Sequence, residues 1–203
     1  MIKVLIAEDQ SLVLGAMSAL LELDGGFTVV KQCSDGQQVL DHLANGPEAL
    51  QPDIVLTDIE MPNVSGIQVA EALQGKADLR IVIMTTFAKA GYIRRAIDAG
   101  VKGFVLKEAP SDYLISSLKK VVQGERVIDS ELALMALDDT DPLTQKERAA
   151  LKLASEGLKT ADIAERLFLS EGTVRNYLSE AIAKLNATNR VDASRIAQQK
   201  GWL

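Results

Sequence analysis

Short apolar runs alternate with longer amphipathic stretches through the first 124 residues. The runs are Ile2–Ala7, Phe27–Gln32, Asp53–Thr57, Arg80–Met84 and Lys102–Val105, and their lengths suit strands. Between them apolar residues recur at helical spacing, as in Leu12, Ala16, Ala19, Leu20 and Leu23, and again in Val39, Leu40 and Leu43. Strand and helix alternating in steps of about 24 residues predict repeated βαβ units, hence a parallel sheet with helices on both faces. Ile54-Val55-Leu56 and Ile81-Val82-Ile83-Met84 lack polar alternation, as central parallel strands buried on both sides require. The pattern predicts an α/β domain, a five-stranded, doubly wound, flavodoxin-like sheet over residues 1–124. Gly25-Gly26, Gly46-Pro47, Gly75, Gly100 and Gly124 fall at the expected helix ends, where a residue without Cβ takes the left-handed conformation cheaply.

After Gly124 the strand pattern stops. Residues 125–142 read as a linker, ending in the acidic stretch Leu137-Asp138-Asp139-Thr140-Asp141-Pro142. A second, all-α domain is expected over 143–203. It opens on Thr144-Gln145-Lys146-Glu147, a capping box in which hydroxyl and carboxylate each satisfy a backbone N–H at a helix start. Further helix starts after Thr160, Ser170 and Asn189 make four short helices.

Composition narrows the class. Of 203 residues, 47% are hydrophobic and 25% charged, enough apolar side chain for real cores and against intrinsic disorder. The single cysteine, Cys33, excludes an internal disulfide and reads as core filler in a reducing compartment. No run approaches the 18 or so apolar residues of a membrane span, and Glu8-Asp9 interrupts the apolar N-terminus well short of a signal peptide. A cytoplasmic protein with no membrane partner is expected. The net charge of −6 is uneven: residues 1–130 carry −5, residues 131–142 carry −4 and residues 143–203 carry +3. Only the last segment would be drawn to phosphate.

Candidate chemistry gathers in the first domain. Glu8 and Asp9 follow the first strand and Asp58 closes the third, so a parallel sheet brings all three carboxylates to its C-terminal edge, where doubly wound folds place their sites. Three such carboxylates repel unless a hard cation joins them, and Mg²⁺ suits an all-oxygen set. Thr85-Thr86 after the fourth strand and Lys107 after the fifth add hydroxyls and an ammonium. Together these are the parts for phosphoryl transfer to a carboxylate. His42, the lone histidine, sits beside Asp41 in mid-helix with no partner ligands in sequence and reads as a partly exposed helix residue.

Glu8-Asp9, Asp58-Ile59-Glu60-Met61-Pro62, Thr85 and Gly103-Phe104-Val105-Leu106-Lys107 resemble the receiver domain of bacterial two-component response regulators, over residues 2 to about 124. The resemblance implies that Asp58 accepts a phosphoryl group from a sensor histidine kinase. It implies that Glu8, Asp9, Asp58 and the backbone carbonyl of Glu60 organise Mg²⁺, that Thr85 and Lys107 engage the phosphoryl oxygens, and that Phe104 is the switch aromatic.

Leu143 through Leu185, followed by Asn189-Arg190-Val191-Asp192-Ala193, resembles the LuxR-type helix-turn-helix domain of NarL/FixJ-family regulators. Thr160 to about Leu167 and Glu171 to about Leu185 would be the helical pair, locked by Ile163, Ala164, Leu167, Val174 and Leu178. Its second helix would enter the major groove of double-stranded DNA, offering Thr173, Arg175, Asn176 and Ser179, with Ser170 as cap and phosphate contact. Arg suits guanine and Asn adenine. Tyr177 and Ser179 stand where the family more often has a histidine and a basic residue, and Lys159 replaces a small hydroxyl residue, leaving Thr160 as the alternative cap.

With only +3 on the domain, a monomer should bind weakly, so a homodimer on phosphorylation is expected. Ser11-Leu12-Val13-Leu14 with Tyr113, Leu114 and Leu118 is the expected dimer face. RNA polymerase is a further expected partner. Thr85 through Tyr92, Thr173 through Tyr177 and Lys200-Gly201-Trp202-Leu203 are similar to the DesR-type subgroup. Two rival readings stand beside this one. A phosphohydrolase working through an aspartyl-phosphate would want an acidic Asp two residues after Asp58, where this chain has Glu60. A constitutive DNA-binding protein would not need the acidic set. A phosphorylation-activated transcription regulator, not an enzyme, is the reading adopted.

Overall fold

The computed structural model describes residues 1–76, 78–86, 89–128, 132–134 and 141–203. The chain divides into two compact units, Met1–Ala88 with Ile93–Met135, and Lys89–Tyr92 with Ala136–Leu203. One boundary, between residues 135 and 136, lies inside the expected 125–142 linker, of which residues 129–131 and 135–140 lie outside the described residues, whereas the grouping of Lys89–Tyr92 with the second unit departs from the expected bounds.

In chain order the first fold comprises β1 (Ile2–Ala7), α1 (Ser11–Asp24), β2 (Phe27–Cys33), α2 (Gly36–Asn45), a 3-10 turn (Glu48–Leu50), β3 (Ile54–Asp58) and α3 (Gly66–Ala72). There follow β4 (Arg80–Thr85), α4 (Ala90–Asp98), β5 (Gly103–Leu106), α5 (Ser111–Val122) and β6 (Val127–Ile128). The strands form one parallel sheet in the order β2-β1-β3-β4-β5-β6. Among the described residues the sheet has six strands, which corrects the expectation of five. β6 pairs with β5 through Gly103↔Val127 and Phe104↔Ile128, and two residues are too few to show a period in sequence.

Both faces of the sheet are buried. Val4, Ile6, Ile54, Leu56 and Val82 pack with Leu21 of α1 and Leu118 and Val121 of α5. The intervening Leu5, Val55 and Ile83 are equally inaccessible on the opposite face. The expected dimer face is only partly open: Leu12 and Tyr113 are exposed, whereas Leu114 and Leu118 belong to the core. Gly25 ends α1 with φ +72°, as expected. Gly46 instead has φ −72°, and a Cβ there would lie 2.4 Å from the His42 carbonyl oxygen, so close approach rather than handedness suits glycine there. His42 Nε2 lies 3.2 Å from the Leu50 carbonyl oxygen and ties α2 to the following turn. Cys33 is buried, and burial pushes its thiol up to about 11, which fits core filler.

Among the described residues from 141 onward there are four helices, α6 (Gln145–Ser155), α7 (Thr160–Leu167), α8 (Glu171–Lys184) and α9 (Arg190–Lys200). Their caps follow the expected chemistry. Thr144 and Glu147 form the capping box of α6, Ser170 Oγ accepts from the Thr173 N–H, and Asn189 Oδ1 accepts from the N–H groups of Val191 and Asp192. At α7 the cap position is Lys159, not Thr160; Asp162 Oδ2 reaches back to accept the Lys159 N–H at 3.2 Å. Ala150, Leu151, Ile163, Val174, Leu178, Ala181 and Ala197 form the core, with Leu167 partly buried against it. Among the described residues no helix is long and apolar enough to cross a membrane.

Candidate functional site

Because every strand runs the same way, the ends of β1, β3, β4 and β5 meet at one edge of the sheet. Glu8, Asp9 and Asp58 converge there, each offering a carboxylate oxygen within 4.8 Å of the others. Asp58 and Glu8 are buried and Asp9 is exposed. A cleft of about 210 Å³ opens above them, lined by Asp9, Gln10, Asp58, Glu60, Thr85, Thr86 and Lys107. Thr85 is buried and Thr86 exposed.

The two buried carboxylates, Asp58 and Glu8, are held from different sides. Asp58 Oδ1 accepts the Ile59 N–H at 2.7 Å and Oδ2 accepts from Lys107 Nζ at 3.0 Å. Lys107 Nζ also lies 2.7 Å from Glu8 Oε2, while Glu8 Oε1 accepts the Gln10 N–H at 3.2 Å. Lys107 is placed by its own backbone, whose N–H donates to the Thr85 carbonyl at 2.9 Å. One ammonium thus bridges two buried carboxylates at the end of three strands.

The electrostatics follow. Burial pushes the Glu8 and Asp58 carboxyls above their ordinary values, and the bonds to Lys107 hold them back only in part. For Lys107 burial disfavours the charged form, but the bonds to Glu8 and Asp58 outweigh it and its pKa rises. Three carboxylates against one ammonium leave the pocket short of positive charge. The donor set is all oxygen, as Mg²⁺ prefers, so the residues present fit that ion.

Close packing of α3 supports the site. Ser65 caps this helix with a full capping box to Gln68, and the Gly66 N–H donates to the Ile59 carbonyl at 3.0 Å. A Cβ at Gly66 would sit 2.0 Å from the Asp58 carbonyl oxygen, so only glycine admits this approach. Sequence reasoning passed over Gly66; its signal is a Ser-Gly step just before a short apolar helix. Phe104 is fully buried on β5, paired with Ile83 and Ile128, as a core aromatic would be.

In the second unit, α7 and α8 form the expected pair around Ile163, Ala164, Val174 and Leu178. On α8 the side chains of Arg175, Asn176 and Ser179 are exposed and Thr173 is half-buried. Ser170 Oγ and Thr173 Oγ1 lie 2.9 Å apart, which couples the cap to the first turn. Arg175 makes only a loose contact, 3.8 Å to Glu171, and remains available to a ligand. Sequence reasoning missed the tie between Lys184 Nζ and both oxygens of buried Glu147, at 2.8 and 2.9 Å. These partners are 37 residues apart and no local pattern links them.

Comparison with known proteins matches both units. Residues 4–119 match the response regulator receiver domain, and residues 141–197 match the bacterial regulatory proteins of the luxR family. The chain is 45% identical to the uncharacterized transcriptional regulatory protein YvfU of Bacillus subtilis (strain 168), covering all of both chains. It is 41% identical to the transcriptional regulatory protein DesR of the same organism, covering all of this chain and 99% of DesR. Among solved structures, the RcsB response regulator of Salmonella typhimurium shares the fold with a TM-score of 0.72, 23% identity and 98% coverage of each chain. The chain therefore belongs to the NarL/FixJ-family response regulators, which join a receiver domain to a LuxR-type DNA-binding domain and regulate transcription.

Proposed function

We propose that residues 1–124 are the phosphoacceptor module, residues 125–142 the linker and residues 143–203 the DNA-reading module, with Asp58 as the site of phosphorylation. The observation that carries this reading is the bridged set of Glu8, Asp58 and Lys107 beneath an open cleft. A carboxylate oxygen of Asp58 attacks the phosphorus of a kinase phosphohistidine. An O–P bond forms, the P–N bond breaks, and the imidazole leaves with the electron pair. Lys107 already touches Asp58 Oδ2 and so stands ready to hold a phosphoryl oxygen, with the Thr85 hydroxyl as second donor. Glu8, Asp9, Asp58 and the Glu60 carbonyl would hold Mg²⁺, which when bound supplies positive charge against the phosphoryl oxygens. The added group brings roughly −1.5 to −2 charges and three acceptors, which draws Thr85 inward and lets Phe104 repack.

Repacking favours a homodimer, for which exposed Leu12 and Tyr113 supply an apolar face. Two helix-turn-helix domains then meet a two-fold-related site on double-stranded DNA. Ser170 and Thr173 hold phosphate, Arg175 and Asn176 read bases, and Ser179 adds a polar contact. A sensor histidine kinase and RNA polymerase are the protein partners, in the cytoplasm and without a membrane partner. A regulator fits better than a phosphohydrolase, because Glu60 rather than Asp stands two residues beyond Asp58. The test is mass and sedimentation with Mg²⁺, with and without acetyl phosphate, for the natural chain and Asp58→Ala. A phosphate-sized mass gain with dimerisation in the natural chain alone is the expected result. No labile phosphate in either, or an unchanged oligomeric state, would refute it.

A further inference from the structure

Phe168 is the C-cap residue of α7, in the left-handed conformation with φ +55° and ψ +45°. Every other residue of positive φ among the described residues is glycine or asparagine, the types that tolerate it. A phenylalanine there carries backbone strain, and packing does not compensate, since the residue is 95% exposed. Strain retained at an exposed aromatic points to use outside the monomer.

Its place says what meets it. Phe168 lies two residues before Ser170, the cap of α8, whose hydroxyl and first-turn N–H groups form the end that, on the DNA-binding reading, would approach DNA. Exposed Arg166 precedes it, and exposed Ser170 and Arg175 follow. Cations and hydroxyls suit phosphate oxygens; the remaining surface at a groove edge is apolar, formed by deoxyribose carbons and thymine methyls. We propose that Phe168 is a DNA-contact residue whose ring packs on this apolar edge beside the second helix of the pair. The proposal rests on the DNA-binding reading and extends it to a residue outside the helix that reads the bases.

The test uses the phosphorylated full chain and a duplex recovered by the natural protein from a randomised pool. Phe168→Ala and Phe168→Gly should each weaken binding roughly tenfold, an order of magnitude equal to about 1.4 kcal/mol, while Phe168→Tyr keeps it. The salt dependence should not change, because no phosphate contact is lost. Phe168→Gly should also raise the thermal midpoint, since glycine relieves the left-handed strain, so its weaker binding could not come from misfolding. A duplex with deoxyuridine for thymidine separates the two apolar partners: added loss in the natural chain but not in Phe168→Ala assigns the methyl, equal loss in both the sugar. Unchanged binding by Phe168→Ala would overturn the proposal and leave the ring to a protein partner. Weakening with a shallower salt slope would overturn it in favour of a displaced helix. Recovery of no duplex by the natural protein would defeat the DNA-binding reading itself.

Discussion

Lys107→Met removes the ammonium that lies 2.7 Å from Glu8 Oε2 and 3.0 Å from Asp58 Oδ2 and keeps a side chain of similar reach. Two carboxylate charges within 4.8 Å of one another repel by at least about 3.5 kcal/mol at an effective dielectric of ~20. Removing one partner of a buried ion pair costs about 3–5 kcal/mol by experience, so the two routes agree. Such a loss is a large part of a domain's total stability of about 5–15 kcal/mol. The sign with pH is also set. Glu8 and Asp58 already have raised pKa values, so the folded chain holds their protons more tightly than the unfolded chain. Stability therefore falls as pH climbs from the ordinary carboxylate range through the raised values. Without Lys107, which lowers both, the fall should steepen, so the deficit should be smallest in the ordinary carboxylate range and grow as pH climbs through the raised values. Mg²⁺ at pH 7.5 should recover part of it. The assay is urea unfolding by far-ultraviolet circular dichroism, with Trp202 fluorescence isolating the second unit, in whose core the only tryptophan lies. A deficit below about 1 kcal/mol at pH 7.5, or one independent of both pH and Mg²⁺, would refute the electrostatic account.

Three further outcomes are expected. Glu147→Gln should destabilise the second unit by roughly 1–3 kcal/mol near neutral pH, read by Trp202 fluorescence. Glu147 keeps a lowered pKa because Lys184 and the Thr144 N–H outweigh burial, so its contribution is complete above the ordinary glutamate value and disappears as pH falls through the lowered one. Gly66→Ala should cost about 1–3 kcal/mol or more in urea unfolding, because its Cβ would meet the Asp58 carbonyl at 2.0 Å. Arg175→Ala should weaken binding to a selected duplex by about 1–3 kcal/mol and relax discrimination at one base position, measured by competition among single-base variants.

Local chemistry made much of this protein legible before folding. Continuous apolar runs announced five parallel strands because strands buried on both faces need no alternation. Thr144, Ser170 and Asn189 announced helix starts because a cap is a contact within one turn. The sequence order of Glu8, Asp9, Asp58, Thr85 and Lys107 placed them at strand ends, and parallel topology then brings strand ends together. What sequence left undecided depends on distance along the chain. That Lys107 bridges Glu8 and Asp58, that α3 requires Gly66 at the back of Asp58, and that Glu147 meets Lys184 are contacts between elements. They are set by how sheet and helices pack. The two-residue β6, the burial of Leu114 and Leu118, and the strained exposure of Phe168 likewise arise from neighbours rather than from periodicity. Sequence determined which groups the chain carries and on which elements; tertiary structure decided which of them touch, because a pairwise interaction needs both partners in place.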